Sequence, residues 1–140
     1  MAPWLIMMFV GAMDWGFYAY SLIATEAAAR VGALYASTNT TATADTNAIC
    51  DLAIGQLRRM ANVGNSLTHP CASGNAVSAT APVGISVSSV SGASSADGGN
   101  AVSVSITYQT PIMIPMVMSG TTVVPKQITI TRTVQMRMRG

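Results

Sequence analysis

The sequence predicts an α+β fold made of a long N-terminal hydrophobic helix, a short amphipathic helix and a small antiparallel β-sheet head. Three observations carry that prediction. Residues 1–36 are apolar or helix-forming, with no proline after Pro3. Apolar residues between 47 and 62 recur at helical spacing. From Ala76 onward the period falls to two, as in half-buried strands. The chain divides accordingly into residues 1–36, a hydrophobic N-terminal helix, and residues 37–140, an α+β head.

Pro3 suits the first turn of a helix, where its missing N–H is no loss, and the next proline is Pro70. A helix from about Pro3 to Ala36 would run about 50 Å, too long to bury itself in a domain of 140 residues. Residues 1–24 contain a single charge, Asp14, in a stretch about as long as the roughly 20 residues that cross a bilayer. A carboxylate in mid-span is costly unless something answers it, so Asp14 asks for a partner. Gly11, Gly16 and Gly32 each weaken an isolated helix by up to about 1 kcal/mol. In a bundle they let neighbouring backbones approach closely, which makes them expected helix–helix contacts. A cleaved signal peptide is the alternative, with cuts after Ala19-Tyr20-Ser21 or Ala27-Ala28-Ala29. Against it stand the missing basic n-region and the unbroken passage from the apolar run into helix.

Ser37 to Thr46 reads as a polar linker. A second helix is expected from about Asn47 to Asn62, capped by Asp45 or Thr46. Ile49, Leu52, Ala53, Leu57 and Met60 form its apolar stripe, and Arg58 and Arg59 sit near its C-terminus, where the dipole favours cations. Gly64 to Asn75 is loop and carries His69, Pro70 and Cys71. Three alternating runs follow: Val83, Ile85 and Val87; Val102, Val104, Ile106 and Tyr108; Ile128, Ile130, Val134 and Met136. Ser91 to Asn100 turns between the first two. Three or four antiparallel strands are expected, with the second helix packed on one face. Arg132 falls on the apolar side of the last strand and calls for an anion, from Asp51, Asp97 or a neighbouring subunit, or else for a place at the sheet's end. Ile112, Met113, Ile114, Met116, Val117 and Met118 form a ribbon apolar on both faces and broken by Pro115, unsuited to a central strand. Such a ribbon is tucked under a loop or pressed on another molecule, and the low surface charge favours the intersubunit contact.

Half of the chain is apolar and only 9% is charged, against about a quarter in an ordinary soluble domain. A net charge of +2, with no aromatic residues interleaved in a basic stripe, excludes nucleic acid as a partner. Beyond Ala36 the polar residues are mostly Ser, Thr, Asn and Gly, as in many secreted and cell-surface domains. Cys50 and Cys71 are the two cysteines. Pairing them would close a loop of about 20 residues and stabilise by roughly 3 kcal/mol; two free buried thiols are the alternative. No enzyme is expected. His69 is the sole histidine, too few ligands or partners for a metal site or a Cys/His nucleophile. Asp14 and Glu26 would lie about 18 Å apart along one helix, too far for paired acid–base work. The serines lack a nucleophile elbow. No cofactor is implied.

The run Gly11-Ala-Met-Asp14-Trp-Gly16, followed by Thr25-Glu-Ala-Ala-Ala-Arg30-Val-Gly32-Ala33-Leu-Tyr35-Ala36, resembles the TadE-like family of pilin-related proteins. Val102-Ser-Val-Ser-Ile-Thr-Tyr108, Pro111 and the closing strand Gln127 to Arg137 look like the end of such a domain. The resemblance implies a pilin-like subunit, held in the inner membrane by its helix and extracted by a pilus secretion machinery into an extracellular filament. Apolar helices would form the filament core and β-rich heads its outside. The basic leader, the prepilin-peptidase site and the early glutamate of the family are missing upstream of Pro3, which implies a mature or shortened form or a different processing.

Asp14 is then the residue expected to compensate, meeting Arg30 or the Met1 amine of an adjacent copy and fixing register. Within one helix Asp14 and Arg30 are about 24 Å apart and cannot pair. The plainer alternative is that Asp14 accepts hydrogen bonds from nearby hydroxyls or marks a membrane boundary. Two functions of different class follow. One is a structural subunit polymerising with copies of itself through its N-terminal helix. The other is a single-pass membrane-anchored surface domain that binds a ligand or partner without polymerising.

Overall fold

The structure, a computed structural model, describes residues 2–38, 40–60, 63, 82–90, 99–112, 117–118, 121–122 and 127–138. Along the chain come helix α1 (Ala2–Ala36), the single turn α2 (Thr40–Ala44), helix α3 (Thr46–Leu57) and strands β1 (Val83–Val90), β2 (Ala101–Pro111), β3 (Val117–Met118), β4 (Thr121–Thr122) and β5 (Gln127–Arg137). The α+β layout expected from the sequence is present, with a long apolar N-terminal helix beside a small antiparallel sheet.

Helix α1 ends without the usual glycine. Its orphaned carbonyls are taken by hydroxyls instead: Ser37 Oγ donates to the Leu34 carbonyl at 2.9 Å, Thr38 Oγ1 to Tyr35 at 2.8 Å and Thr43 Oγ1 to Ala36 at 2.7 Å. Thr43 belongs to α2, so the segment expected to be a polar linker is partly a helical turn that closes the end of α1. Asp45 caps α3 as expected, accepting from the Ala48 N–H at 3.1 Å. The helix stops at Leu57, short of Asn62, and the turn at Arg58–Met60 folds Met60 and Val63 back into the core. Its inner face is Ile49, Cys50, Ala53, Ile54 and Leu57, while Leu52 is exposed. The stripe is therefore rotated toward Cys50 and Ile54 relative to the one read from the sequence.

Strands β1, β2 and β5 form one antiparallel sheet in that order. The register pairs Val83 with Tyr108, Ile85 with Ile106 and Val87 with Val104, then Tyr108 with Ile130, Val104 with Val134 and Val102 with Met136. Directly opposed residues share a face, so these rows form one apolar surface. The other face carries Ser86, Ser105 and Thr133 in one row and Thr107 beside Thr131 in the next. Hydroxyls bond across it, Thr133 to Ser105 at 2.9 Å and Thr107 with Thr131 at 3.2 Å. Arg132 stands opposite Ile106, on the apolar side as read, but β5 is an edge strand and the side chain is exposed. Its long stem lets the guanidinium reach solvent, and among the described residues no salt bridge forms to it.

The apolar face is covered chiefly by α1, which lies across β2 and β5, while α3 packs beside α1. The sequence had assigned that cover to the second helix. Ser21, Thr25, Ala28, Ala29, Ala33 and Ala36 are the buried stripe of α1, all small, and they let its backbone come close to both neighbours. The packing boundary of the head thus falls near Ser21, well before the end of the helix at Ala36.

Candidate anchoring and assembly site

Upstream of Ser21 the same helix changes character. Trp4, Leu5, Ile6, Met8 and Phe9 are each more than half exposed, and Trp15 is 72% exposed. Residues 3–20 span about 27 Å, close to the roughly 30 Å of a hydrocarbon core. Helix α1 is long and apolar enough to cross a membrane, and only 6% of its most apolar stretch is buried in the chain. A core helix of that composition would be mostly covered. This one has the length and surface of a membrane anchor or a signal sequence.

The sequence-predicted site residues fall into three groups. Gly11 and Gly16 lie on the projecting half, where an added Cβ would meet nothing within 4 Å. Gly32 is different. It is buried, and a Cβ there would come within 3.3 Å of Ile49 Cγ2 and 3.4 Å of Val104 Cγ1. It serves the contact of α1 with α3 and β2 inside one chain. Arg30 is exposed and bonds Glu26 one turn earlier on its own helix, at the i,i+4 spacing that favours such pairs. Met1, Cys71, Met113, Ile114 and Met116 lie outside the described residues. Val117 and Met118 form β3, paired with Thr122 and Thr121, and Ile112 is half-buried at the end of β2. Cys50 is fully buried and its thiol is not free; its expected partner Cys71 is among the residues outside the description.

Asp14 does not point away from the head. Val10, Asp14, Tyr18 and Ala19 are the half-buried positions of the projecting half, the first three spaced by four like the buried stripe that starts at Ser21. They continue the face that meets the sheet. Together with Met7, Gly11 and Trp15 they wall one side of a cavity of about 600 Å³. Thr110, Pro111, Ile112 and Ile128, at the ends of β2 and β5, wall the other. The carboxylate therefore sits where the helix leaves the head.

Just inside that point a small buried polar cluster joins helix to sheet. Ser21 Oγ lies 3.2 Å from Thr110 Oγ1 and donates to the Phe17 carbonyl at 2.7 Å, and Thr25 Oγ1 donates to the Ser21 carbonyl at 2.6 Å. Tyr108 completes it. Burial pushes its phenol above the ordinary range, and hydrogen bonding with Thr110 and Ser21 pulls more weakly the other way. The sequence reading missed this cluster. Its one local signal was the appearance of Ser21 and Thr25, four residues apart, where the helix turns from large to small side chains.

Among the described residues no group of His, Cys, Asp and Glu could hold a metal ion. Compared with known protein families, curated proteins and solved structures, the chain matches none.

Proposed function

We propose that the chain is a structural subunit of an extracellular pilus-like filament, akin to the TadE-like proteins its sequence resembles. In this reading α1 holds it in the inner membrane until a pilus secretion machinery extracts it. Copies then polymerise through their N-terminal helices. The observation that carries the reading is the projecting half of α1, an apolar rod attached to a head whose described residues share one packed core. Such a surface must be covered by lipid or by other copies, and a helix in a filament core meets both demands in turn. Gly11 and Gly16, open on that rod, are the positions for close helix approach. Asp14 supplies the charge that fixes register, and the ribbon Ile112 to Met118 adds contact between heads. A Cys50–Cys71 bridge would tie the chain after α3 back to the core and stabilise the exported head by roughly 3 kcal/mol.

A second reading, a membrane-anchored surface domain that binds a ligand without polymerising, draws on the cavity beside Asp14. Electron microscopy of material sheared from producing cells, with mass spectrometry of the thin-filament fraction, separates the two. Fibres made chiefly of this chain are expected. Recovery only in the membrane pellet, with no fibre containing the chain, would overturn the filament reading in favour of the anchored domain.

A further inference from the structure

The end of α3 lies beside the point where α1 leaves the head. The two helices run antiparallel: Ile49, early in α3, packs on Gly32, and Arg59, just past its end, stands across a groove of about 310 Å³ from Tyr20 and Ile23. Ten residues onward from Ile49 and ten residues back from Gly32 both amount to about 15 Å, so Arg59 is roughly level with Leu22. That is about 3 Å beyond residue 20, where the apolar span ends. Trp4 and Tyr20, both exposed, stand about 24 Å apart along α1, and tryptophan and tyrosine concentrate at the two faces of a bilayer. Tyr20 thus marks the face on the side of the head. The headgroup layer adds roughly 5–8 Å beyond the hydrocarbon on each side, which takes in Arg59 and its neighbour Arg58, both exposed.

We propose that this end of the head docks on the membrane surface, where Arg58 and Arg59 bind the phosphodiester of an anionic phospholipid of the phosphatidylglycerol type. Arg59 offers a planar fork of N–H donors that fits two phosphate oxygens. Gln56 and Tyr20, on the same groove, bring an amide and a phenol as further donors. Ile23, 69% exposed on the α1 wall of that groove, meets the glycerol and the first acyl carbons. Charge complementarity selects the occupant. The sequence has no Asp or Glu between Asp51 and Asp97, so the chain leading out of α3 brings no negative charge to the two arginines. A zwitterionic headgroup offers the same phosphate but carries an ammonium that they repel. The inference rests on the membrane residence in the proposed function and not on polymerisation.

The full chain is taken from the membrane fraction into detergent micelles holding equal amounts of phosphatidylglycerol and phosphatidylcholine, and native mass spectrometry counts the one-to-one lipid adducts. The phosphatidylglycerol adduct is expected to predominate. Arg58→Gln with Arg59→Gln should lower the adduct ratio by roughly fivefold per arginine, the factor one cation supplies near an anionic surface. Arg58→Lys with Arg59→Lys keeps the charges and should keep most of the preference. Arg30, about 15 Å beyond Tyr20 along α1, is the control, and Arg30→Gln should leave the ratio unchanged. Circular dichroism checks that each variant keeps its helix content. Equal adducts of the two lipids, a preference that survives the double Gln change, or an equal loss in Arg30→Gln would overturn the proposal. Adducts of added inorganic phosphate with none of phosphatidylglycerol would overturn it as well. A chain held in the membrane fraction without the lipid preference would sink this inference alone, and a lipid preference without fibres would sink the filament reading alone.

Discussion

Residues 3–20 and 21–36 belong to one unbroken helix, yet the first half exposes Trp4, Phe9 and Trp15 while the second buries Ala28, Ala29, Gly32 and Ala33. Side-chain size marks the change. Small residues occur where the helix meets its own sheet and α3, because close backbone approach is what buries a thin stripe. Large ones occur where nothing in the chain covers them. The two halves thus differ in their cover: one is packed within the chain, and the other is left open by it.

The sharpest way to break that comparison is to put the same bulk into both halves. Gly32→Val would drive a branched side chain against Ile49 and Val104, where even a Cβ is tight, and should cost about 1–3 kcal/mol by overpacking. Gly16→Val enters open space and should change the stability of the isolated subunit by less than about 0.5 kcal/mol. Thermal unfolding in detergent, followed by circular dichroism, measures both. Equal losses would mean that the projecting half is also packed within the chain. A normal Gly16→Val subunit that no longer yields fibres would instead mark that glycine as a contact between copies.

The extent of α1 and the positions of the three long strands were legible because their periods are local: no proline after Pro3, and alternation in Val102 to Tyr108. Other features depend on residues far apart in sequence. Helix α2 forms from Thr and Ala, weak local evidence, and is tied to α1 by Thr43 and the Ala36 carbonyl. Leu52 fits the same helical spacing as its neighbours, and only the position of α1 decides that Cys50 and Ile54 face inward instead. Gly32 reads like Gly11 and Gly16 in sequence, because a small residue does not tell which helix will approach it. Asp14 was singled out for its charge, but the cavity beside it is made with Thr110 and Ile128, about a hundred residues away. No local pattern pairs them.

Between the two halves lies the hydroxyl cluster of Ser21, Thr110 and Tyr108, and Tyr108→Phe tests whether it fastens helix to sheet. Removing one buried hydroxyl should cost about 0.5–1.5 kcal/mol, less than Gly32→Val at its upper end. The pH dependence separates this effect from simple packing. Burial raises the phenol's pKa in the folded state, so the unfolded chain gives up that proton first, near pH 10. The folded state is therefore favoured in full below about pH 10, and the advantage is lost as pH rises through the folded value. Urea midpoints measured from about pH 8 to 11 should fall on the alkaline side for the native chain and stay flatter for Tyr108→Phe. Parallel curves would show that the phenol is not buried as described.

The smallest effect concerns the outer side of the packed half. Glu26 and Arg30 are, with Asp14, the charged residues of α1, and both are exposed. Glu26→Gln should therefore cost only about 0.3–0.5 kcal/mol, and less at high salt. Its value lies in what it does to assembly. An arginine has donors for two carboxylates, so the bond to Glu26 leaves Arg30 able to meet Asp14 of an adjacent copy. If it does so, Arg30→Gln should lower fibre yield far more than Glu26→Gln, although both remove the same pair within the subunit. Similar yields from the two variants would mean that Asp14 is answered elsewhere, and would return the packed half of the helix wholly to its own chain.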